Sequence, residues 1–270
     1  MNILPAYKLI SHEYIKEVNS EAYLLEHIKS GAHVYVLENS DPNKVFSIAF
    51  RTPVNDSTGV PHIIEHSVLC GSERFPVKDP FMELAKTSLN TFLNAITFPD
   101  KTVYPVASCN YADFCNLMKV YVDAVFKPNI YSNENIFRQE GWHYEVAEDG
   151  SLSFNGVVYN EMKGAMSDPM ETFGQELEAC LFPDTGYGQN YGGEPSHNPE
   201  LSYEQFLTFH SKYYHPSNSY IYLYGDCDML TDSPGLMQNI CANMMRQSLT
   251  LRLLCSLPLI SLYTARVSTP

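Results

Sequence analysis

The segment His62-Ile63-Ile64-Glu65-His66 is the most informative stretch of the 270-residue chain. At about 100° per residue of an α-helix, Glu65 and His66 lie within about 60° of His62, so two imidazoles and a carboxylate share one face. The order His-x-x-Glu-His is the inverse of the motif His-Glu-x-x-His, and both orders are signatures of zinc hydrolases. Roughly 0.02 accidental matches are expected in a chain of this length and composition. The segment therefore predicts a metal site with a base beside it.

The residue types of this segment suit the chemistry of a hydrolytic zinc site. His62 and His66 would bind the metal through neutral imidazole nitrogens, and such sites lower the pKa of a water in the open position to around 7. A carboxylate that is not itself a ligand must then take the proton of the water and pass it to the leaving amine, a role that we assign to Glu65. The alternative is that both histidines are core residues with satisfied hydrogen bonds and no metal.

The flanking residues predict the helix that this spacing requires. Residues 56–58 offer capping oxygens, Pro61 suits a first helical turn, and Gly71 is a stop signal, so we expect a helix over 59–70. The opposite face of this helix is apolar and can pack against a core while the motif faces a cleft. The apolar residues are Val60, Ile63, Ile64 and Val68.

Composition limits the partners and the compartment. The formal net charge of −14 argues against nucleic-acid binding. The seven cysteines include no Cys-x-x-Cys pair, which is typical of free thiols in a reducing compartment. Because neither a signal sequence nor a membrane-spanning stretch is recognisable, we expect a cytoplasmic protein without a membrane partner. Cys70 could join the metal, although a lone thiol of this kind is more often a small buried hydrophobe.

The remaining pattern predicts a strand-rich first third followed by longer helices. Strands are expected over 22–28, 33–37, 45–50, 91–98, 102–108, 142–146, 152–154 and 220–224. Helices are expected over 81–87, 111–126, 133–140, 157–181 with a break at Pro169, and 201–214. A long loop is expected over 183–199.

The last part of the chain differs from the rest in composition. Of 31 acidic residues, residues 229–270 contain only Asp232. The codons of 236–240 can be read in a neighbouring frame as Leu-Asp-Ala-Glu-Tyr, an ordinary acidic helical segment. We therefore divide the chain into a folded domain over 1–228 and an atypical tail over 229–270, which we interpret as poorly structured or translated out of frame.

Four sequence blocks carry a resemblance to a known family. They are 62–72 (HIIEHSVLCGS), 76–81 (PVKDPF), 89–95 (LNTFLNA) and 155–164 (NGVVYNEMKG). In this order the blocks resemble the falcilysin-like presequence protease branch of the pitrilysin-type zinc metallopeptidases, and the resemblance spans residues 7–228. It implies an α+β domain in which an antiparallel sheet is packed by helices.

The resemblance also implies a complete metal site. One zinc per chain would be bound by His62, His66 and Glu161, the last of which lies in the fourth block. From the residues alone, other carboxylates could equally supply the third ligand. These rivals are Glu140, Glu145, Glu171 and Glu176.

For the substrate, the resemblance implies an edge strand that pairs with an extended peptide. Asn94 and Ala95 would line the scissile bond, with the Asn94 amide orienting or polarising it. Family members are much longer, and a second half that supplies an arginine and a tyrosine closes a chamber over the site. We therefore expect a zinc endopeptidase domain for unstructured peptides. The alternative is a truncated, non-catalytic fragment that binds zinc or peptide and needs the missing half.

Overall fold

A computed structural model describes residues 6–226, which fold into a mixed sheet, a small hairpin and packed helices. The strands are β1 (Tyr7–Ile15), β2 (Ser20–His27), β3 (His33–Glu38), β4 (Lys44–Arg51), β5 (Asn90–Leu93), β6 (Ile96–Thr97), β7 (Lys101–Ser108), β8 (His143–Val146), β9 (Leu152–Asn155) and β10 (Ser219–Gly225). The helices are α1 (Val60–Val68), α2 (Pro80–Thr87), α3 (Tyr111–Phe126), α4 (Glu134–Glu140), α5 (Val157–Ala165), α6 (Pro169–Leu181) and α7 (Tyr203–Tyr213).

The large sheet has the strand order β1-β2-β3-β10-β4-β7-β5, and β6 also pairs with β7. Neighbouring strands are antiparallel except β3 and β10, which run parallel. Strand β10 lies in the middle of the sheet, between β3 and β4. Strands β8 and β9 form a separate hairpin. The predicted α+β class, with a largely antiparallel sheet packed by helices, is confirmed.

The core lies between the sheet and a layer of helices. Helix α3 packs against β4 and β7, and α1 contacts α4, α5, α7, β6 and β7. The largest buried side chains come from both layers, which places α1 on the core of the domain rather than at its periphery. They include Phe46, Phe50, Ile63, Ile64, Phe114, Tyr121, Phe137, Phe206 and Tyr214.

Most of the predicted elements are present, and the one strand that was not predicted has a physical reason. The predicted break at Pro169 is present: 157–181 is divided into α5 and α6, and Pro169 begins α6, whose first turn is capped by the Asp168 side chain accepting from the Met170 amide. Strand β1 was missed because nearly all of its residues are exposed on both faces, so it has no alternation of apolar and polar residues.

The start of α1 differs from the predicted cap. The N-cap residue is Gly59, with φ of 70° and no side-chain hydrogen bond, whereas the Asp56 carboxylate accepts from the Thr58 amide instead. A Cβ at Gly59 would lie 2.6 Å from the Cα of Gly193, so a close-packed loop requires glycine here. The predicted capping by the side chains of 56–58 was therefore wrong, while the helix itself agrees within two residues at each end.

The proposed boundary at residue 228 and the atypical tail over 229–270 lie outside the described residues. Both remain predictions, as does the out-of-frame interpretation of the tail.

Candidate active site

Helix α1 separates an apolar face from the face that carries the motif. Ile63, Ile64 and Val68 are completely buried against the core. His62 and His66 are half-buried on the other face, where they line an open cleft. The i, i+4 spacing therefore places both imidazoles side by side, with ring centroids 5.0 Å apart.

Helix α5 brings Glu161 to the two histidines. The carboxylate oxygens of Glu161 lie 3.8 Å from Nε2 of His62 and 3.7 Å from Nε2 of His66. Among the described residues, these three side chains form the one group of metal-ligand type whose ligand atoms all lie within 4.8 Å of one another. Two imidazoles and one carboxylate are a donor set that suits zinc and leaves a coordination position open.

The four rival carboxylates lie outside this group within the described residues. Glu140 faces the other ring nitrogen of His66, at 3.4 Å from Nδ1. Glu145 accepts a hydrogen bond from Asn155 in the β8–β9 hairpin. The remaining two are on α6, where Glu171 lines the cleft and Glu176 is exposed.

Each imidazole is oriented through its Nδ1 atom. His62 donates from Nδ1 to the main-chain oxygen of Gly192 at 2.9 Å, and His66 has the Glu140 carboxylate beside its Nδ1. With Nδ1 engaged, Nε2 of each ring faces Glu161. Such partners fix the tautomer and the ring orientation of metal-binding histidines. Sequence reasoning missed the Gly192 carbonyl and considered Glu140 only as a possible ligand.

The loop that supplies the Gly192 carbonyl is pinned to the residues before α1. The Asn198 side chain donates to the Thr58 carbonyl at 2.9 Å, and the Glu194 amide donates to the Ser57 carbonyl at 2.8 Å. Gly193 has φ of 104°, and a Cβ there would lie 2.3 Å from the Asn198 side chain. The adjacent glycines of this loop are therefore the sequence signal for its close approach to α1.

Glu65 lies beneath the cleft and is held by one strong contact. Its side chain is buried, and Oε2 accepts a hydrogen bond from Thr97 Oγ1 at 2.7 Å. Thr97 ends β6, so the carboxylate is tied to the segment that follows Asn94 and Ala95. Burial raises the pKa of nearby Tyr121, and the charge of Glu65 raises it further. Glu65 lines the cleft on the same helix face as His62.

Three carboxylates, those of Glu65, Glu140 and Glu161, lie around His66 and influence its pKa. Burial lowers the pKa of His66, but the neighbouring carboxylates, led by Glu140, outweigh this effect and raise it overall. Burial raises the pKa of Glu140, and the hydrogen bonds from His66 and Gln139 outweigh it, so the net shift is downward. Burial strongly raises the pKa of the Cys70 thiol. Cys70 donates to Glu140 at 3.5 Å and is not a member of the metal-ligand group.

Asn94 and Ala95 lie at the edge of the sheet, next to the metal-ligand group. They line a cavity of about 660 Å³ together with His62, His66 and Glu161. The main chain of Asn94 is fixed from within, because its amide donates to the Pro105 carbonyl at 3.2 Å and its carbonyl accepts from the buried Tyr121 hydroxyl at 3.3 Å. The Asn94 side chain folds back and accepts from the Ala95 amide at 3.0 Å.

Comparisons with known proteins connect this geometry with a group of proteases. No protein-family model matches the chain. Protein HypA of Clostridium perfringens is 54% identical over 228 residues, which is 84% of this chain and 23% of that protein. Presequence protease 1, chloroplastic/mitochondrial, of Arabidopsis thaliana is 52% identical over 223 residues, or 82% of this chain and 21% of the relative. The mitochondrial presequence protease of Drosophila melanogaster is 46% identical over 217 residues, or 79% and 21%.

Among solved structures, the crystal structure of pitrilysin is similar to this fold. It has a TM-score of 0.64 and 17% sequence identity, over 89% of this chain and 24% of that chain. At this identity the likeness concerns the fold. The chain thus spans about a fifth to a quarter of the length of the relatives it matches. Within the described residues no helix has both the length and the apolar character needed to cross a bilayer.

The cytoplasmic location predicted from the sequence is wrong. Relatives from Arabidopsis thaliana, Drosophila melanogaster, Eremothecium gossypii and Schizosaccharomyces pombe are named as mitochondrial or chloroplastic proteins, which contradicts it. The prediction failed because free cysteines report the redox state of a compartment and not which compartment it is.

Proposed function

Because the chain belongs to the pitrilysin-type proteases and corresponds to their N-terminal portion, we propose that it carries the zinc site of an endopeptidase for unstructured peptides. The observation that supports this proposal best is the group of His62, His66 and Glu161, with the buried carboxylate of Glu65 on the same helix face as the histidines. The presequence proteases and pitrilysin supply the reaction class, peptide hydrolysis.

We propose that one zinc ion is held by Nε2 of His62, Nε2 of His66 and the Glu161 carboxylate. When bound, zinc lowers the pKa of water in its open position to around 7 and polarises a substrate carbonyl. The chain prepares the ligands for this task, because the Gly192 carbonyl and the Glu140 carboxylate already engage the Nδ1 atoms. In a neutral ring whose proton is on Nδ1, the lone pair of Nε2 is available to the metal.

In this proposal Glu65 moves the proton. Its carboxylate accepts a proton from the attacking water and donates it to the amine of the leaving peptide fragment. The hydrogen bond from Thr97 occupies Oε2, which leaves Oε1 for the water. The same hydrogen bond orients the buried Glu65 carboxylate in the lining of the cleft.

We further propose that the peptide substrate pairs with the edge formed by Asn94 and Ala95. Main-chain pairing gives affinity with little demand on side-chain sequence, which suits a protease for unstructured peptides. The Tyr121 hydroxyl and the Pro105 carbonyl hold the Asn94 backbone from behind. For pairing at Ala95, the Asn94 side chain must release the Ala95 amide, after which its own amide group can turn towards the scissile bond.

The activity of the chain alone is a separate matter, because it spans only 21–23% of its curated relatives. A second half would exclude water and supply further substrate contacts, which contribute strongly to catalysis. A non-catalytic fragment that binds zinc or peptide is therefore the second candidate. The arrangement around Glu65 favours the catalytic role.

Metal analysis tests the site. We expect close to one zinc per purified chain, lost in His62→Ala, much reduced in Glu161→Gln, and retained in Glu65→Gln. The Glu65 variant is the matched control, because it alters a carboxylate on the same helix face without removing a ligand. If the unmutated protein contains no zinc and takes up none, the proposed site is wrong.

Turnover of a quenched fluorogenic peptide separates the two candidate functions. For an active protein, Glu65→Gln should lower the rate by about 10²- to 10⁴-fold while zinc content stays the same, because the step that fails is proton transfer. Zinc binding without any turnover by the unmutated chain would favour the fragment. Addition of a separately produced second half from one of the relatives should then restore cleavage.

A further inference from the structure

Glu140 is a buried carboxylate beside the proposed metal site, and the proposed function does not use it as a ligand. It is the last residue of α4 and is only 7% exposed. Its Oε2 atom lies 3.4 Å from Nδ1 of His66, on the side of the ring that faces away from Glu161. A charged group in so buried a position needs a partner, because unpaired burial of a carboxylate is costly.

The surrounding residues fix the Glu140 carboxylate in place. Its Oε1 atom accepts from the Gln139 side chain at 2.8 Å and lies 3.5 Å from the Cys70 thiol donor. Helix α4 itself packs against α1, which carries His66. Both carboxylate oxygens are therefore engaged, one by its neighbours and one by the imidazole, and the carboxylate has little freedom to rotate.

We propose that Glu140 is a positioning residue that orients the His66 imidazole and strengthens it as a metal ligand. This inference rests on the proposed zinc site. The Nδ1–H of His66 donates to Glu140, so the lone pair of Nε2 is directed at the metal position. A carboxylate partner also makes the imidazole a better electron donor than a neutral partner does.

The two histidines consequently differ in their strength as metal ligands. His62 has a main-chain carbonyl as its partner, that of Gly192, whereas His66 has a full negative charge. Any residue at position 192 has a carbonyl, but only an acidic residue at position 140 provides the charge. The partner of His66 is therefore a charged side chain, that of Glu140, whereas the partner of His62 is a neutral main-chain atom.

Zinc affinity measured by competition with a chelator tests this role without requiring catalysis. Glu140→Gln keeps the shape of the side chain and removes its charge, and we expect zinc affinity to fall about 10- to 100-fold. Glu140→Asp keeps the charge and should bind zinc more tightly than Glu140→Gln. Asp123→Asn is the matched control, since Asp123 is a fully buried carboxylate that accepts from the Arg74 amide, and we expect its zinc affinity to be unchanged.

A spectroscopic signature separates positioning from general stability. In protein loaded with Co²⁺, the visible absorption bands should shift in Glu140→Gln and stay in place in Asp123→Asn, even if both variants unfold at lower denaturant. Unchanged zinc affinity and unchanged bands in folded Glu140→Gln, with zinc lost in His66→Ala, would overturn the role of Glu140 and leave the zinc site intact. Absence of zinc binding by the unmutated chain would instead overturn the proposed function together with this inference.

Discussion

The two walls of the cleft differ in how they are supported. Helix α1, the core wall, has seven of its nine residues buried and carries His62 and His66. Helices α5 and α6, the outer wall, have one buried residue, Val158, and none, respectively. Glu161 belongs to the outer wall, and 54% of its side chain is exposed. Two of the proposed ligands are therefore fixed by the core, and the third is carried by an element with little support.

Helix α6 of the outer wall is amphipathic, but its apolar face is exposed rather than packed against the core. Gly174, Gln175 and Glu178 of α6 line the cleft. The apolar residues of the same helix, Met170, Phe173, Leu177 and Leu181, are all between 46% and 70% exposed on another face. A helix with few buried contacts opens at a lower free energy than the core does. The comparison thus predicts that mutations on the two walls have very different consequences.

The largest expected difference concerns stability. Ile63→Ala on the core wall removes a completely buried side chain, and we expect a loss of about 2–5 kcal/mol in the free energy of unfolding. Leu177→Ala on the outer wall removes a side chain that is 46% exposed, and we expect a loss below about 1 kcal/mol. Urea unfolding of both variants measures the two values. Equal losses would contradict the distinction between the walls.

The second prediction concerns the pH dependence of the core. His210 is buried, donates from Nε2 to the Val125 carbonyl and accepts the Tyr131 hydroxyl at Nδ1. Burial lowers its pKa to about 4. In the unfolded chain His210 has an ordinary pKa of about 6.5. Between about pH 6.5 and pH 4 the unfolded chain therefore binds a proton at His210 that the folded chain does not bind. The folded state loses stability as the pH falls through this range.

Urea unfolding at two pH values isolates this effect. Between pH 7 and pH 5 we expect His210 to account for a loss of about 2 kcal/mol. His210→Gln, which cannot titrate, should be less stable at pH 7 and should lose about 2 kcal/mol less than the unmutated protein over this interval. Parallel losses in both proteins would show that His210 is not the group responsible.

The core wall could be predicted from the sequence, because its signals are local. The positions of His62, Glu65 and His66 on one face follow from helix geometry alone, and the apolar residues between them specify the opposite face. Helix α3 coincides with its predicted bounds for the same reason. The cap of α1 could not be predicted, because Gly59 is required by contact with Gly193, which lies far along the chain.

The outer wall and the residues that support the site were harder to predict from the sequence. Five carboxylates satisfy the local pattern for a third ligand, and only the resemblance to pitrilysin-type proteases selected Glu161, which the structure brings to the histidines. The Gly192 carbonyl is a main-chain group, so its only sequence signal is the pair of adjacent glycines that lets the loop approach α1. Thr97 was missed because its role depends on how β6 packs against α1, a contact that no local periodicity encodes.

The smallest predicted effect tests the connection between the core wall and the substrate edge. Thr97→Val removes the hydroxyl that donates to Glu65 and keeps the shape of the side chain. Since Glu65 then loses its fixed orientation, we expect kcat for a fluorogenic peptide to fall about 10-fold, with KM and zinc content little changed. Thr97→Ser restores the donor and should recover most of the rate. If Thr97→Ser lowers kcat as much as Thr97→Val does, a hydroxyl at position 97 does not rescue the rate, and the proposed role of the hydrogen bond to Glu65 is wrong.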